Sequence, residues 1–245
     1  MSKEKHHHYR FFVPPESISG KNFISQDKEL INQIKNVFRL SVGAEILILD
    51  NSGKEYVISL RDISKNEVSG EIISSRKKDN NRLFEINLFI PLIKNNNFDL
   101  VLEKCTELGI DNFYPIIYDH SVIHKKEKSD RWERIIKEAS EQCSRFIKPN
   151  IFSPVTFDSA LEKIDGTTII ASEDSKNSVE EIISKIKKDK NKKAINIVVG
   201  PEGGFSEKEL LIIENRGLDS FCLGNNILRA ETACIVSLGF FSTLC

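Results

Sequence analysis

The spacing of apolar residues changes character about a third of the way along the chain. Between residues 46 and 73 short apolar runs alternate with turn residues. They fall at 46–49, 55–60 and 67–73, separated by Asp50-Asn51-Ser52-Gly53 and by a polar break at 61–66. The Asn-Ser-Gly segment supplies residues that tolerate positive φ, which a tight hairpin needs. This pattern predicts a small antiparallel barrel. Residues 74–81 are polar and charged and read as a linker. The chain is therefore divided into a β domain over residues 1–75, a linker over 76–82 and a second domain over 83–245.

Beyond the linker, strand and helix alternate. Residues 84–90 form an apolar strand, followed by a helix with Phe98, Val101, Leu102, Cys105 and Leu108 on one stripe, closed by Gly109. Residues 112–118 read as the next strand. Asp130 and Glu133 have the spacing of a capping box before a helix carrying Trp132, Ile135, Ile136, Ala139, Cys143 and Phe146 on one face, stopped by Pro149. Ser178 with Glu181, and Ser206 with Glu209, open two further helices, and Gly217 stops the second. Strands are predicted at 167–172, 195–199 and 220–223, and a last helix over 231–244. The unbroken β-branched run at 195–199 suits the middle of a parallel sheet. This half is α/β with a mainly parallel sheet.

Composition narrows the class. The 245 residues weigh 27.9 kDa, with 40% hydrophobic and 29% charged residues, so the chain can bury a core and is not disordered. The longest apolar run, 233–241, is half a membrane span at best. Lys3, Glu4, Lys5 and His6-His7-His8 precede only a short apolar patch, so no signal peptide is expected and the location is read as cytoplasmic, with no membrane partner. Cys105, Cys143, Cys222, Cys234 and Cys245 are odd in number and form no CxxC pair, which disfavours disulfide scaffolds and zinc ribbons. His120 and His124 lie four apart in what reads as a loop, and no metal is expected there.

Two loops after predicted strands carry the candidate chemistry, because ligands bind at the C-terminal ends of strands in open parallel sheets. The first is Gly200-Pro201-Glu202-Gly203-Gly204-Phe205, whose three glycines let main chain approach a ligand beside a capped helix. It lacks the Lys-Ser/Thr of a phosphate-binding Walker loop and the spacing of a dinucleotide fingerprint. A tight strand-to-helix turn explains it equally well. The second runs Leu223-Gly224-Asn225-Asn226-Ile227-Leu228-Arg229-Ala230-Glu231-Thr232-Ala233. Ile227 and Leu228 suggest a hydrophobic wall, and Arg229 and Glu231 suggest polar groups aimed at one spot. Glu231 and Thr232 could instead serve only the helix start.

Taken together, the two loops resemble the paired signature of the 16S rRNA uridine N3-methyltransferases, the RsmE family of SPOUT methyltransferases. The segments His8-Tyr9-Arg10-Phe11-Phe12-Val13, Glu103-Lys104-Cys105-Thr106-Glu107-Leu108-Gly109 and Arg131-Trp132 with Ala139-Ser140-Glu141-Gln142 fit the same family. Ala230 stands where the family often has Thr. The resemblance implies a C-terminal trefoil-knotted domain that binds S-adenosyl-L-methionine and an N-terminal PUA-like β-barrel that binds RNA. It also implies a homodimer, with 16S rRNA as substrate within an assembled small ribosomal subunit. The implied cofactor-binding residues are Ala171, Ser172, Gly200, Pro201, Glu202, Gly203, Gly204, Leu223, Gly224, Asn226, Ile227, Leu228, Thr232 and Ala233. The implied catalytic residues are Arg229 as a cation beside the base, Glu231 as proton acceptor or as a brace for Arg229, and Arg10 on RNA phosphate or the target base.

Three rivals are weighed against this reading: a ribose 2′-O-methyltransferase of the same superfamily, a non-catalytic RNA-binding protein that keeps the fold, and a phosphate-binding α/β enzyme. The net charge of −1, taken alone, argues against a nucleic-acid partner. Residues 1–82, however, carry 14 Lys and Arg against 11 Asp and Glu, while 83–245 carry 21 against 25. Near-neutrality is two domains cancelling, with the basic excess on the expected RNA-binding half.

Overall fold

A computed structural model describes residues 9–78, 84–121, 123, 127–163, 165–189 and 193–244. It divides into two compact units. One comprises Met1–Asn80 with Ser140–Lys148, the other Asn81–Ala139 with Pro149–Cys245.

The first unit is built on strands β1 (Arg10–Phe12), β2 (Ile18–Ser19), β3 (Asn22–Ser25), β4 (Glu45–Leu49), β5 (Lys54–Ile63) and β6 (Val68–Lys77). A short helix α1 (Lys28–Asn32) precedes β4, capped by the Asp27 carboxylate and running on into a wider turn over Gln33–Val37. The sheet order is β1-β4-β5-β6-β3-β2, antiparallel except where β1 runs parallel to β4. Asn51 (φ 64°) and Gly53 (φ 84°) make the β4–β5 hairpin, as their residue types require. Phe11, Phe23, Leu30, Ile34, Ile46, Ile48, Ile58, Leu60 and Val68 fill the interior.

Two expectations are corrected here. Residues 74–77, assigned wholly or partly to a linker, are strand: β6 continues to Lys77 because Arg76 pairs across the hairpin with Glu55. Polarity misled because this stretch faces solvent while its backbone is satisfied by β5. Residues 79–83 lie outside the described residues. The segment 140–148, assigned to the second domain, packs into the first unit, where the Glu141 carboxylate accepts from the Phe12 amide at 2.8 Å.

The second unit contains β7 (Glu85–Pro91), α2 (Asn95–Glu107), β8 (Asn112–Ile117), α3 (Asp130–Gln142), β9 (Asn150–Ile151), β10 (Val155–Thr156), α4 (Phe157–Lys163) and β11 (Thr167–Ala171). It continues with α5 (Val179–Lys188), β12 (Ala194–Val199), α6 (Glu207–Asn215), β13 (Asp219–Phe221) and α7 (Ala230–Ser242). The strands run parallel in the order β10-β8-β7-β12-β11-β13, with β9 beside β8. Every residue of β12 is buried, because helices cover both faces. Ile195, Ile197 and Val199 face the side packed by α2, α5 and α7, while Val198 faces Phe157, Leu161 and α6. This alternation has the period of 2 that a strand imposes.

Both later capping boxes form as their spacing predicts, Ser178 with Glu181 and Ser206 with Glu209. The earlier one does not. Asp130 already lies inside α3, and the Glu133 carboxylate pairs with Lys128 at 2.5 Å. The helix also stops at Gln142, with Ser144 in the left-handed region (φ 63°), so Phe146 is not on its face. Among the described residues no helix is long and apolar enough to cross a membrane.

Candidate functional site

The strand order decides which loops meet. β12, β11 and β13 are adjacent and parallel, so the segments leaving their C-terminal ends lie side by side. Those segments are Ala171-Ser172 after β11, residues 200–205 after β12 and residues 222–229 after β13. Ser172 is tied to the end of β13 by its amide, which donates to the Phe221 carbonyl at 3.0 Å. The glycine loop closes with a Gly204 amide to Pro201 carbonyl bond of 2.9 Å, and Gly204 takes a φ of 72°. Gly224 (φ 134°) turns the third loop away from β13.

Within these loops the side chains are sorted by exposure. Pro201 is buried, while Glu202, Gly203, Gly204, Gly224 and Asn226 are exposed. Leu223 packs half-buried against the core. Ile227 is 82% exposed and Leu228 half-buried, an apolar surface left uncovered at the rim of the sheet. Thr232 and Ala233 belong to α7 itself, Thr232 exposed and Ala233 packed toward the core.

The proposed catalytic residues part company. Arg229 stands at the start of α7, exposed, and its side chain has no hydrogen bond or ion pair among the described residues. Glu231, two residues on, turns inward and is 7% exposed. Its Oε1 accepts from Asn97 Nδ2 at 2.9 Å, and its Oε2 is buried without a hydrogen-bond partner among the described residues. Glu231 therefore braces the first turn of α2 against the first turn of α7 and does not hold Arg229. Helical geometry explains the split, since residues two apart point to different faces.

Arg10 belongs to the first unit, on β1. Its Nη2 lies 2.6 Å from Glu55 Oε2, and its guanidinium sits 5.6 Å from the centre of the Phe146 ring. Burial lowers its pKa from the ordinary arginine value, with Glu55 opposing that shift. This arginine is held in an ion pair with Glu55, largely shielded from solvent.

Sequence reasoning gave His120 no role at this edge. The loop after β8 docks onto the glycine loop: the Tyr118 hydroxyl donates to the Val199 carbonyl at 2.9 Å, and Ser206 Oγ donates to Asp119 at 2.7 Å. His120 Nδ1 then lies 3.2 Å and 3.1 Å from the carbonyl oxygens of Gly203 and Gly204. A Cβ on Gly203 would come within 3.0 Å of the His120 Cβ, so this approach depends on glycine. Only the position of Asp119-His120-Ser121 just after a strand could have signalled it. A cleft opens beside it, lined by Leu92, Ile93, Lys94, His120, Pro201 and Glu202. His124 lies outside the described residues. Among the described residues no group of three or more His, Cys, Asp or Glu is placed to hold a metal ion.

An edge of three loops beside a parallel sheet, carrying an uncovered apolar wall and the exposed Arg229, is a candidate ligand site without a stated ligand. Comparison with known proteins supplies the class. The RNA methyltransferase domain family matches residues 79–242, and the RNA methyltransferase PUA domain matches residues 27–73. The chain belongs to the RNA methyltransferase family.

The relatives of this methyltransferase match along most of their length. Ribosomal RNA small subunit methyltransferase E of Rickettsia conorii is 31% identical over 209 residues, 85% of this chain and 84% of that protein. Its namesake in Bacillus subtilis is 30% identical over 94% of this chain and 90% of its own. Among solved structures, Ribosomal RNA small subunit methyltransferase E from Neisseria gonorrhoeae, bound to S-adenosyl methionine, superposes with a TM-score of 0.85 at 26% identity. It covers 97% of this chain and 98% of its own.

Proposed function

We propose that this methyltransferase moves the methyl group of S-adenosylmethionine to N3 of one uridine in small-subunit ribosomal RNA. What carries the reading is the convergence of Ala171-Ser172, the glycine loop and residues 223–228 on one sheet edge, in a chain that aligns end to end with an S-adenosylmethionine-bound relative. The residues present fit that cofactor. Loop main chain suits the polar edge of an adenine, and the exposed Ile227 with Leu228 suits its faces. When bound, the cofactor supplies an electrophilic methyl on a sulfonium.

The protein's own work is to bind, orient and exclude water. Uracil N3 carries a proton at neutral pH and must lose it to become nucleophilic. Arg229, exposed at the start of α7 and unpaired among the described residues, offers its charge to the anion that forms. Glu231, through Asn97, keeps the two helix starts in place. The trefoil threading, a cytoplasmic homodimer covering apolar positions such as Phe240 on α7, and an assembled small subunit as substrate are parts of this proposal.

Primer extension on ribosomal RNA from cells with and without the gene tests it. An N3-methyl blocks Watson–Crick pairing and stops reverse transcriptase, whereas a 2′-O-methyl stops it poorly. One strong stop at a small-subunit uridine should vanish in the deletion strain and return on complementation. An unchanged pattern of stops would overturn the reading.

A further inference from the structure

The end of the first unit where β5 begins and β6 finishes collects positive charge that its neighbours do not balance. Lys54 and Lys77 are directly opposed in the β5–β6 register, and both are exposed. Like charges so placed repel and cost stability. Neither lysine has an ion pair among the described residues. Beside them, Arg76 and Lys78 stand over the Phe146 ring, at 5.2 Å and 5.8 Å from its centre. The Lys78 amide donates to the Gly53 carbonyl at 3.0 Å, which pins the end of β6. The ring is fixed in turn, because the Lys148 amide donates to Asn51 Oδ1 at 2.7 Å and ties residues 144–148 to the β4–β5 hairpin.

Arg76 is the informative side chain. Its Nε is held by Glu55 at 2.5 Å, yet the side chain is 64% exposed and its two Nη groups have no partner among the described residues. An exposed arginine ordinarily loses rotamer freedom when it grips an anion. Here a buried carboxylate and a ring have already fixed the guanidinium and left its paired donors open. The nearby carboxylates are engaged: Glu55 is shared with Arg10, Asp50 accepts from Ser52 and Tyr56, and Glu141 accepts from the Phe12 amide.

We propose that Lys54, Arg76, Lys77 and Lys78 form a docking edge for the phosphate backbone of ribosomal RNA, with Arg76 as its preformed fork. This rests on the reading of ribosomal RNA as substrate and names the part of the first unit that holds it. Phosphodiesters are the complement: the Nη pair takes two oxygens of one phosphate, and the lysines act as point charges for its neighbours. Successive phosphates bring negative charge to several of these cations at once and so relieve the Lys54–Lys77 repulsion. Such contacts orient the RNA and read no base.

The test uses the full chain and small-subunit RNA from the deletion strain, in filter-binding titrations across salt. Lys54→Gln with Lys77→Gln should weaken binding about 30-fold near ~0.1 M salt and flatten the log–log slope by about 1.5, at about 0.7–0.9 per phosphate contact. The unfolding temperature should hold or rise, since a repulsive pair is removed, and S-adenosylmethionine affinity by calorimetry should not change. Arg76→Lys should weaken binding about 10-fold at an unchanged slope, because the charge stays and the fork is lost. On assembled subunits the double variant should raise KM and keep the wild-type kcat. RNA affinity of the double variant within threefold of the wild type would overturn the proposal. A fall in kcat at unchanged KM would overturn it too, by placing the lysines in the chemical step. So would displacement of RNA by inorganic phosphate at matched phosphate concentration, which marks a site for the free anion. Loss of RNA binding in the double variant, in a protein whose deletion removes no primer-extension stop, would keep the edge and overturn the methyl-transfer reading. Absence of both effects would overturn both.

Discussion

Glu55 holds two arginines at once. Its side chain is 2% exposed, with Arg10 at 2.6 Å on one oxygen and Arg76 at 2.5 Å on the other. Both guanidinium groups also stand over the Phe146 ring, at 5.6 Å and 5.2 Å from its centre. Glu55→Gln would leave Arg10, itself only 12% exposed, buried without a counter-charge. We expect a loss of roughly 3–5 kcal/mol, read as a lowered unfolding midpoint in denaturant. A midpoint unchanged from the wild type would mean the pair contributes nothing net. At the site, a Cβ on Gly200 would meet the Phe205 ring at 3.0 Å. Gly200→Ala should therefore cost about 1–3 kcal/mol by overpacking and weaken cofactor binding measured by calorimetry. Retention of wild-type affinity would show that the loop absorbs the extra carbon.

At the scale of elements, four asparagines stitch the parallel sheet. Asn150 donates to Asn112 at 2.9 Å, Asn112 to Asn87 at 2.8 Å, and Asn87 to Asn196 at 2.7 Å, across β9, β8, β7 and β12. Each pair is directly opposed in the strand register, so the chain of amides specifies that register. Asn87→Leu should destabilise by about 1–3 kcal/mol, because Asn196 Oδ1 loses its donor in the interior. Thermal unfolding checks this, and a neutral effect would show that the amides are dispensable. Helices α2 and α7 pack through Cys105 and Cys234, both fully buried, and burial pushes both thiols well above the usual cysteine value. The thiolate is the reactive form. Maleimide at pH 8 should thus modify Cys222, which is partly exposed, long before Cys105 or Cys234. Peptide mass spectrometry reads the order, and early labelling of Cys105 or Cys234 would mean that the α2–α7 contact opens readily.

Over the whole molecule, charge is divided as the units are. The basic excess of residues 1–82 is three charges, with 11 carboxylates interspersed among 14 Lys and Arg, so we expect only a few of these cations to contact phosphate together. Affinity for free ribosomal RNA should fall with salt along a shallow log–log slope of roughly −1 to −3, at about 0.7–0.9 per phosphate contact. A slope near −8 in a filter-binding titration would mean that most of the 14 Lys and Arg of residues 1–82 contact phosphate. The boundary between units shows the limit of reading a chain in order. The change of hydrophobic period placed the division near residue 80, but residues 140–148 return to the first unit. Nothing in their local pattern announces that, because Glu141 and Phe146 find their partners on strands more than 60 residues earlier.

Local patterns were enough for what depends on neighbouring residues. Spacing of apolar positions fixed the α/β class and most strands and helices, and Ser-x-x-Glu fixed the starts of α5 and α6. Glycine content marked the loop at 200–205, and the two loop motifs together pointed to the family. Contacts between distant segments were decided only on folding. The strand order set β12 between β7 and β11, and so brought three loops to one edge. The inward turn of Glu231, the ion pair that takes Arg10 and the docking of His120 on Gly203 and Gly204 all join residues far apart in the chain. A sequence states which chemistry is available, but a side chain's role depends on which partner reaches it first, and that is a property of the packed structure.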